Sequence, residues 1–147
     1  MEIQPQNAKE RILALDLGKK RIGLALSDPL GITAQGLPTL QRTRIRDDID
    51  ALAALADERE VGLFLLGLPL HMTGKEGRQA EYTRDFAQRL EERTGIRVRF
   101  WDERLTTVEA QRVLKSSGIS IAKRAEAVDK LAAQILLESF LDSGEAA

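Results

Sequence analysis

The sequence predicts an α/β fold: a five-stranded mixed sheet, opened by a three-strand antiparallel meander, continued by strand-helix alternation and flanked by helices. Three observations point there. The first apolar runs are short and separated by only a few turn residues. From Arg46 the apolar period lengthens to that of a helix. Two further apolar runs, each followed by an amphipathic segment, complete the order βββαβαβαα.

RILALDL at 11–17 is nearly all apolar and short, as suits a strand covered on both faces. IGLALSD at 22–28 is a second such run, stopped by Asp28-Pro29 and Gly31. ITAQGLPTL at 32–40 makes a third, and Pro38 assigns it to an edge or an end. Ile49, Leu52, Ala53 and Ala56 then mark one face of a helix. VGLFLLGLP at 61–69 is the most apolar stretch and reads as a central strand ended by Gly67 and Pro69. After the polar loop HMTGKEGRQ, a second helix carries Tyr82, Phe86 and Leu90 on one stripe and is capped by Gly95. RVRFWDE at 97–103 is the fifth strand, and two helices follow at about 107–117 and 123–141.

The totals set limits. A chain of 147 residues, 43% hydrophobic and 31% charged, suits a single domain spanning 1–147, with about 1–10 and 142–147 frayed. With no cysteine, disulfides, thiolate catalysis and Cys-based zinc sites are excluded. No apolar h-region opens the chain and no run approaches a membrane span, so the expectation is a cytoplasmic protein without membrane contact. A net charge of −1 means that any anion site is local. Lys19-Lys20-Arg21, the row Arg42, Arg44 and Arg46, and Lys123-Arg124 are the clusters that could build one, or each could be a solvated face.

The carboxylates carry the chemistry. Asp16 ends the first strand, and Asp102 and Glu103 end the fifth, on what should be one rim of the sheet. Alternation separates the latter two, Asp102 going with Val98 and Phe100 and Glu103 with Trp101. Asp129 shares a helical stripe with Ala125, Ala132, Ala133 and Leu136. Acids from three elements, with neither His nor Cys among them, suit a hard cation such as Mg²⁺ or Mn²⁺. Plainer readings stand beside this one. Asp16 could be a turn residue, Asp129 could pair with Lys130 or Lys123, and Asp102-Glu103-Arg104 could be a surface charge run. Thr106 to Glu109 fits a capping box whose helix end also favours a phosphate. His71, the only histidine, is a surface residue or a group placed on substrate or water, and Trp101 is core or a base-stacking platform.

Four segments together resemble one family. DLGKKRIG at 16–23, LGLPLHMTG at 66–74, DERLTT at 102–107 and AVDKLAAQILLESFL at 127–141 are similar to motifs of the YqgF/RuvX family of RNase H-like nucleases, in the family's order. The resemblance implies an RNase H-like fold and a metal-dependent phosphodiesterase with Asp16, Glu103 and Asp129 as catalytic and metal-binding triad. It further implies Mg²⁺ or Mn²⁺ as cofactor and a role in maturing the 5′ end of the small-subunit ribosomal RNA precursor. Lys19, Lys20, Arg21, Arg104 and Thr106 are then the expected contacts to nucleic acid, RNA before structured DNA, made by a monomer or weak homodimer. Two departures are visible. RuvC-type resolvases carry an acid at the end of the fourth strand, where this chain reads GLPLHM, and Thr73 stands where family members often have Asp. A Holliday-junction resolvase and a non-catalytic nucleic-acid-binding module are the alternatives. An actin-like sugar kinase would need two such domains.

Overall fold

A computed structural model of the chain describes residues 10–102, 104 and 121–144, without the side chains of 121–126, 128 and 129. The strands are β1 (Arg11–Leu17), β2 (Arg21–Ser27), β3 (Ala34–Gln41), β4 (Val61–Leu68) and β5 (Val98–Asp102). The helices are α1 (Ile45–Glu58), α2 (Arg78–Thr94) and α3 (Ile121–Asp142). The expected helix at 107–117, the capping box at 106–109 and the termini 1–9 and 145–147 lie outside the described residues.

The strands form one mixed sheet in the order β3-β2-β1-β4-β5. β1, β2 and β3 are the antiparallel meander, while β4 joins β1 and β5 joins β4 in parallel. β1 is therefore the middle strand and β4 its interior neighbour, each buried along most of its length. β3 is an edge, as Pro38 requires, because an internal strand would need the N–H that proline lacks.

The third strand starts two residues later than its apolar pattern suggests. Asp28 Oδ1 accepts from Ile32 N at 2.6 Å and Thr33 N at 2.7 Å, so these residues belong to a side-chain-bridged turn. Those amides, Thr33 above all, hold the Asp28 carboxyl below its ordinary range. Ser27 closes β2 by accepting from buried Ile12 N at 2.8 Å.

Two cores sandwich the sheet. Leu13, Leu15, Leu24, Phe64 and Leu66 pack against α1 and α2 through Ile49, Leu52, Phe86 and Leu90. Ile12, Ala14, Ala25, Leu63 and Leu65 pack against α3 through Ala133, Leu136, Leu137 and Phe140. Each fully buried leucine contributes on the order of 1.5–3 kcal/mol, and the alanines Ala14, Ala25 and Ala133 let α3 lie close to the strands. α2 ends at Gly95, whose φ of 72° is the left-handed cap that glycine adopts without penalty. Trp101 stands edge-on to Phe140, ring centroids 5.2 Å apart, and donates from Nε1 to Ser139 Oγ at 3.1 Å. It is thus packed against α3. Among the described residues, no helix is long and apolar enough to cross a membrane.

Candidate functional site at the carboxyl rim of the sheet

Because β1, β4 and β5 are parallel, their carboxyl ends share one rim, and Asp16 and Asp102 both stand there. Alternation sends them to opposite faces. Asp16 follows Ile12 and Ala14, which pack on α3, and is half-buried. Asp102 follows Val98 and Phe100, which pack toward α1 and α2. Asp16 pairs with Gly23 across β2, and the register that joins Leu15 to Leu66 continues to Gly67, which pairs with Trp101.

Asp102 has a partner already. Arg104 Nη2 lies 2.6 Å from Asp102 Oδ2, Arg104 Nε donates to Oδ2 at 2.8 Å, and the Arg104 backbone N–H donates to Oδ1 at 3.0 Å. The Arg104 side chain, and after it the backbone amide, hold the Asp102 carboxyl below its ordinary range. Arg104 also reaches the β4–α2 loop, donating from Nη1 to Met72 O at 3.5 Å. Glu103 and Thr106 lie outside the described residues, and Asp129 lies on α3 one turn before Ala133 with its side chain outside the description. Among the described residues, no group of three metal-ligating side chains is assembled.

The cations divide by role. Gly18 N donates to Arg21 O at 2.9 Å, closing a two-residue hairpin with Lys19 and Lys20 exposed at its tip. Arg42 is different, for its side chain is only 11% exposed. Its Nε donates to Asp48 Oδ2 at 3.2 Å, its Nη1 to Gly18 O at 3.0 Å and its Nη2 to the Tyr82 hydroxyl. Asp48, 1% exposed, also accepts from Thr43 N at 3.0 Å. Arg42 therefore clamps the hairpin to α1 and α2 and is no part of a solvated face. Sequence reasoning missed Asp48, although it precedes Leu52 and Ala56 on the buried stripe of α1, the one signal that could have found it. Lys130, offered as a partner for Asp129, lies over Gly36 of β3 and makes no ion pair among the described residues.

The loop between β4 and α2 borders the same rim. His71 N donates to Lys75 O at 2.9 Å and Gly74 N to His71 O at 2.7 Å, while Leu70 bridges Glu76. His71 is exposed at the surface, its ring lying so close to Gly77 that a Cβ there would collide with Nε2. Arg84 Nε and Nη2 donate to the two Glu76 oxygens at 2.6 and 2.8 Å, tying the loop to α2.

Comparison with known proteins now adds what geometry alone does not. A family profile described as "RuvX: Holliday junction resolvase" matches residues 10–143. A protein of Koribacter versatilis named "Putative pre-16S rRNA nuclease" is 50% identical over 139 residues, covering 95% of this chain and 91% of that one. One of the same name from Myxococcus xanthus is 50% identical over 133 residues, covering 90% and 88%. Among solved structures, T. thermophilus RuvC in complex with a Holliday junction substrate superposes with a TM-score of 0.59 at 12% identity, covering 93% of this chain and 98% of that one. The fowlpox virus resolvase, bound to Holliday junction DNA, gives 0.53 at 14% identity over 90% and 97%. These structural likenesses establish the RNase H-like fold alone. The sequence matches, which run from β1 through α3, show more: the chain belongs to the RuvX family.

Proposed function

We propose that this chain is a divalent-metal-dependent nuclease that hydrolyses phosphodiester bonds in the precursor of small-subunit ribosomal RNA, with Asp16, Glu103 and Asp129 as its acidic triad. The observation that carries the reading is the half-buried Asp16 carboxylate at the carboxyl end of the middle strand, on the α3 face and on the rim that β1 shares with β4 and β5. A carboxylate at the carboxyl end of a sheet's middle strand stands where ligands of such sheets gather.

The donor set fits a hard cation, since all three candidates offer oxygen only. The resemblance to the family favours Glu103 over Asp102. The pairing of Asp102 with Arg104 supports the same choice. Asp129, one turn before Ala133 on the helix covering that face, is the third. Together they would hold Mg²⁺ or Mn²⁺. When bound, such ions polarise the phosphodiester, lower the pKa of water and stabilise the leaving oxygen. The chain's own part is to bring the carboxylates together at one rim and to present Lys19, Lys20 and Arg21 to backbone phosphates, contacts that position a strand without reading its sequence.

RNA is favoured because the relatives are named for an RNA precursor, whereas the family description and the RuvC neighbour name Holliday junctions. Incubation of single-stranded RNA, ribosomal-precursor RNA and a four-way DNA junction with protein and Mg²⁺ or Mn²⁺ separates the two. Cleavage of precursor RNA that disappears in folded Asp16→Asn supports the reading. Paired, symmetric cuts in the junction alone would move the assignment to a resolvase, and near-normal cleavage by Asp16→Asn would remove the triad.

A further inference from the structure

The rim has a second concavity on the opposite face from Asp16. It is a cavity of about 440 Å³ between the β1–β2 hairpin tip and the amino-terminal ends of α1 and α2. Lys19, Arg42 and Arg78 line it together with Thr43 and Tyr82, and no carboxylate does. The charges are not equal. Arg42 is neutralised by buried Asp48 and forms the fixed floor, its guanidinium 5.4 Å from the centre of the Tyr82 ring. Lys19 and Arg78 make no ion pair among the described residues, and both are exposed. Two unneutralised cations thus converge on a walled space of ligand size. The first turns of α1 and α2 open beside them, and neither cap residue, Arg44 or Gly77, satisfies a first-turn amide with its side chain.

We propose that this cavity is a phosphate-binding pocket that holds a backbone phosphodiester of the nucleic-acid strand, with Lys19 and Arg78 in direct contact and Arg42 holding its wall in place. The proposal rests on the reading that the substrate is a nucleic acid. An arginine fork meets two phosphate oxygens at once, and a lysine supplies a compact charge, so the pair recognises phosphate rather than a neutral group. Leu17 and Gly18, which follow Asp16 directly, line the pocket, so the two faces of the rim are joined by the end of one strand. A nucleic-acid strand that crosses the rim is gripped on the α1–α2 side while its chain continues toward the Asp16 side. The pocket adds affinity and register and reads no base.

The test is fluorescence anisotropy of a labelled single-stranded RNA, in EDTA so that no bond is cut, across a series of salt concentrations. Lys19→Ala and Arg78→Ala should each weaken binding several-fold and flatten the salt dependence by about 0.7 in log–log slope, and the double variant by about 1.4. Arg78→Lys should keep the slope and lose part of the affinity, because charge remains and the fork is gone. Arg59→Ala, which removes a cation at the opposite rim, should bind as the wild type does. An unchanged slope in the double variant, with a native circular dichroism spectrum, would overturn the proposal. So would a 5′-mononucleotide that displaces the RNA from the wild type as well as an unlabelled oligonucleotide does, since the site would then serve a free nucleotide. Binding through Lys19 and Arg78 without cleavage of any substrate would sink the hydrolase reading and leave the pocket standing. Cleavage with an unchanged slope would do the reverse.

Discussion

At the scale of single residues, what surrounds a carboxylate decides its use. Asp16 was legible because an acid that ends an apolar run announces itself against its neighbours. Asp102 looked similar in sequence, and its opposite face and the Arg104 contacts separate it. Those contacts carry a sign. The folded carboxyl titrates below its ordinary value of 3.8, so its contribution is present above that value and is lost as pH falls through the lowered one. Urea titrations below pH 4 should therefore show wild type losing stability more steeply than Asp102→Asn, while the variant keeps most of its cleavage at neutral pH. Parallel acid limbs would mean that the ion pair does not persist in solution. Asp48 was invisible as a functional anchor because helix periodicity describes apolar positions and says nothing of a charge among them. Removing it strands Arg42 without a counter-charge. Asp48→Ala should cost about 3–5 kcal/mol by urea unfolding, the range for breaking a buried pair. A loss below 1 kcal/mol would show that water reaches Arg42 and replaces the carboxylate.

At the scale of elements, the sequence pattern located every described strand and helix, and its errors fall where side chains rather than periodicity set the boundary. The start of β3 moved because Asp28 captures the amides of Ile32 and Thr33, a bond that hydrophobic alternation cannot register. The β4–α2 loop was legible only as polar, for its shape depends on His71 lying against Gly77. Gly77 has an ordinary φ of −119°, so the need for glycine is one of space. Gly77→Ala should therefore push the imidazole aside and destabilise the loop by about 0.5–1.5 kcal/mol. His71→Ala should remove most of that penalty when combined with it, as contacting residues couple in a double-mutant cycle. Thermal melts of the four proteins give the coupling, and strictly additive effects would mean that Gly77 is needed for another reason.

At the scale of the whole molecule, a net charge of −1 conceals an uneven distribution: Lys19, Lys20 and Arg78 stand at the carboxyl rim where the acids of the proposed triad are expected. The meander, the mixed sheet and its helix-covered faces were legible because a meander followed by strand-helix alternation leaves few ways to build a sheet. Convergence of the acids was legible only as far as β1 and β5 sharing a rim. A metal held there binds the folded chain and hardly the unfolded one. Saturation at a hundred times the dissociation constant should thus stabilise the wild type by about 2.7 kcal/mol. Asp129→Asn should lose much of that increment, yet in EDTA be as stable as wild type or more so, since one repelling charge is gone. A variant that is less stable in EDTA and responds fully to metal would make Asp129 a structural residue. The packing of Trp101 turns these melts into a finer instrument. It is the chain's one tryptophan, and it stands edge-on to Phe140 with its indole N–H on Ser139 of α3. Its emission therefore reports the seating of the last helix on β5 separately from total helicity. If α3 lifts away before the sheet opens, the fluorescence midpoint falls below that of circular dichroism, and the face that carries Asp16 is uncovered while the other core stays closed.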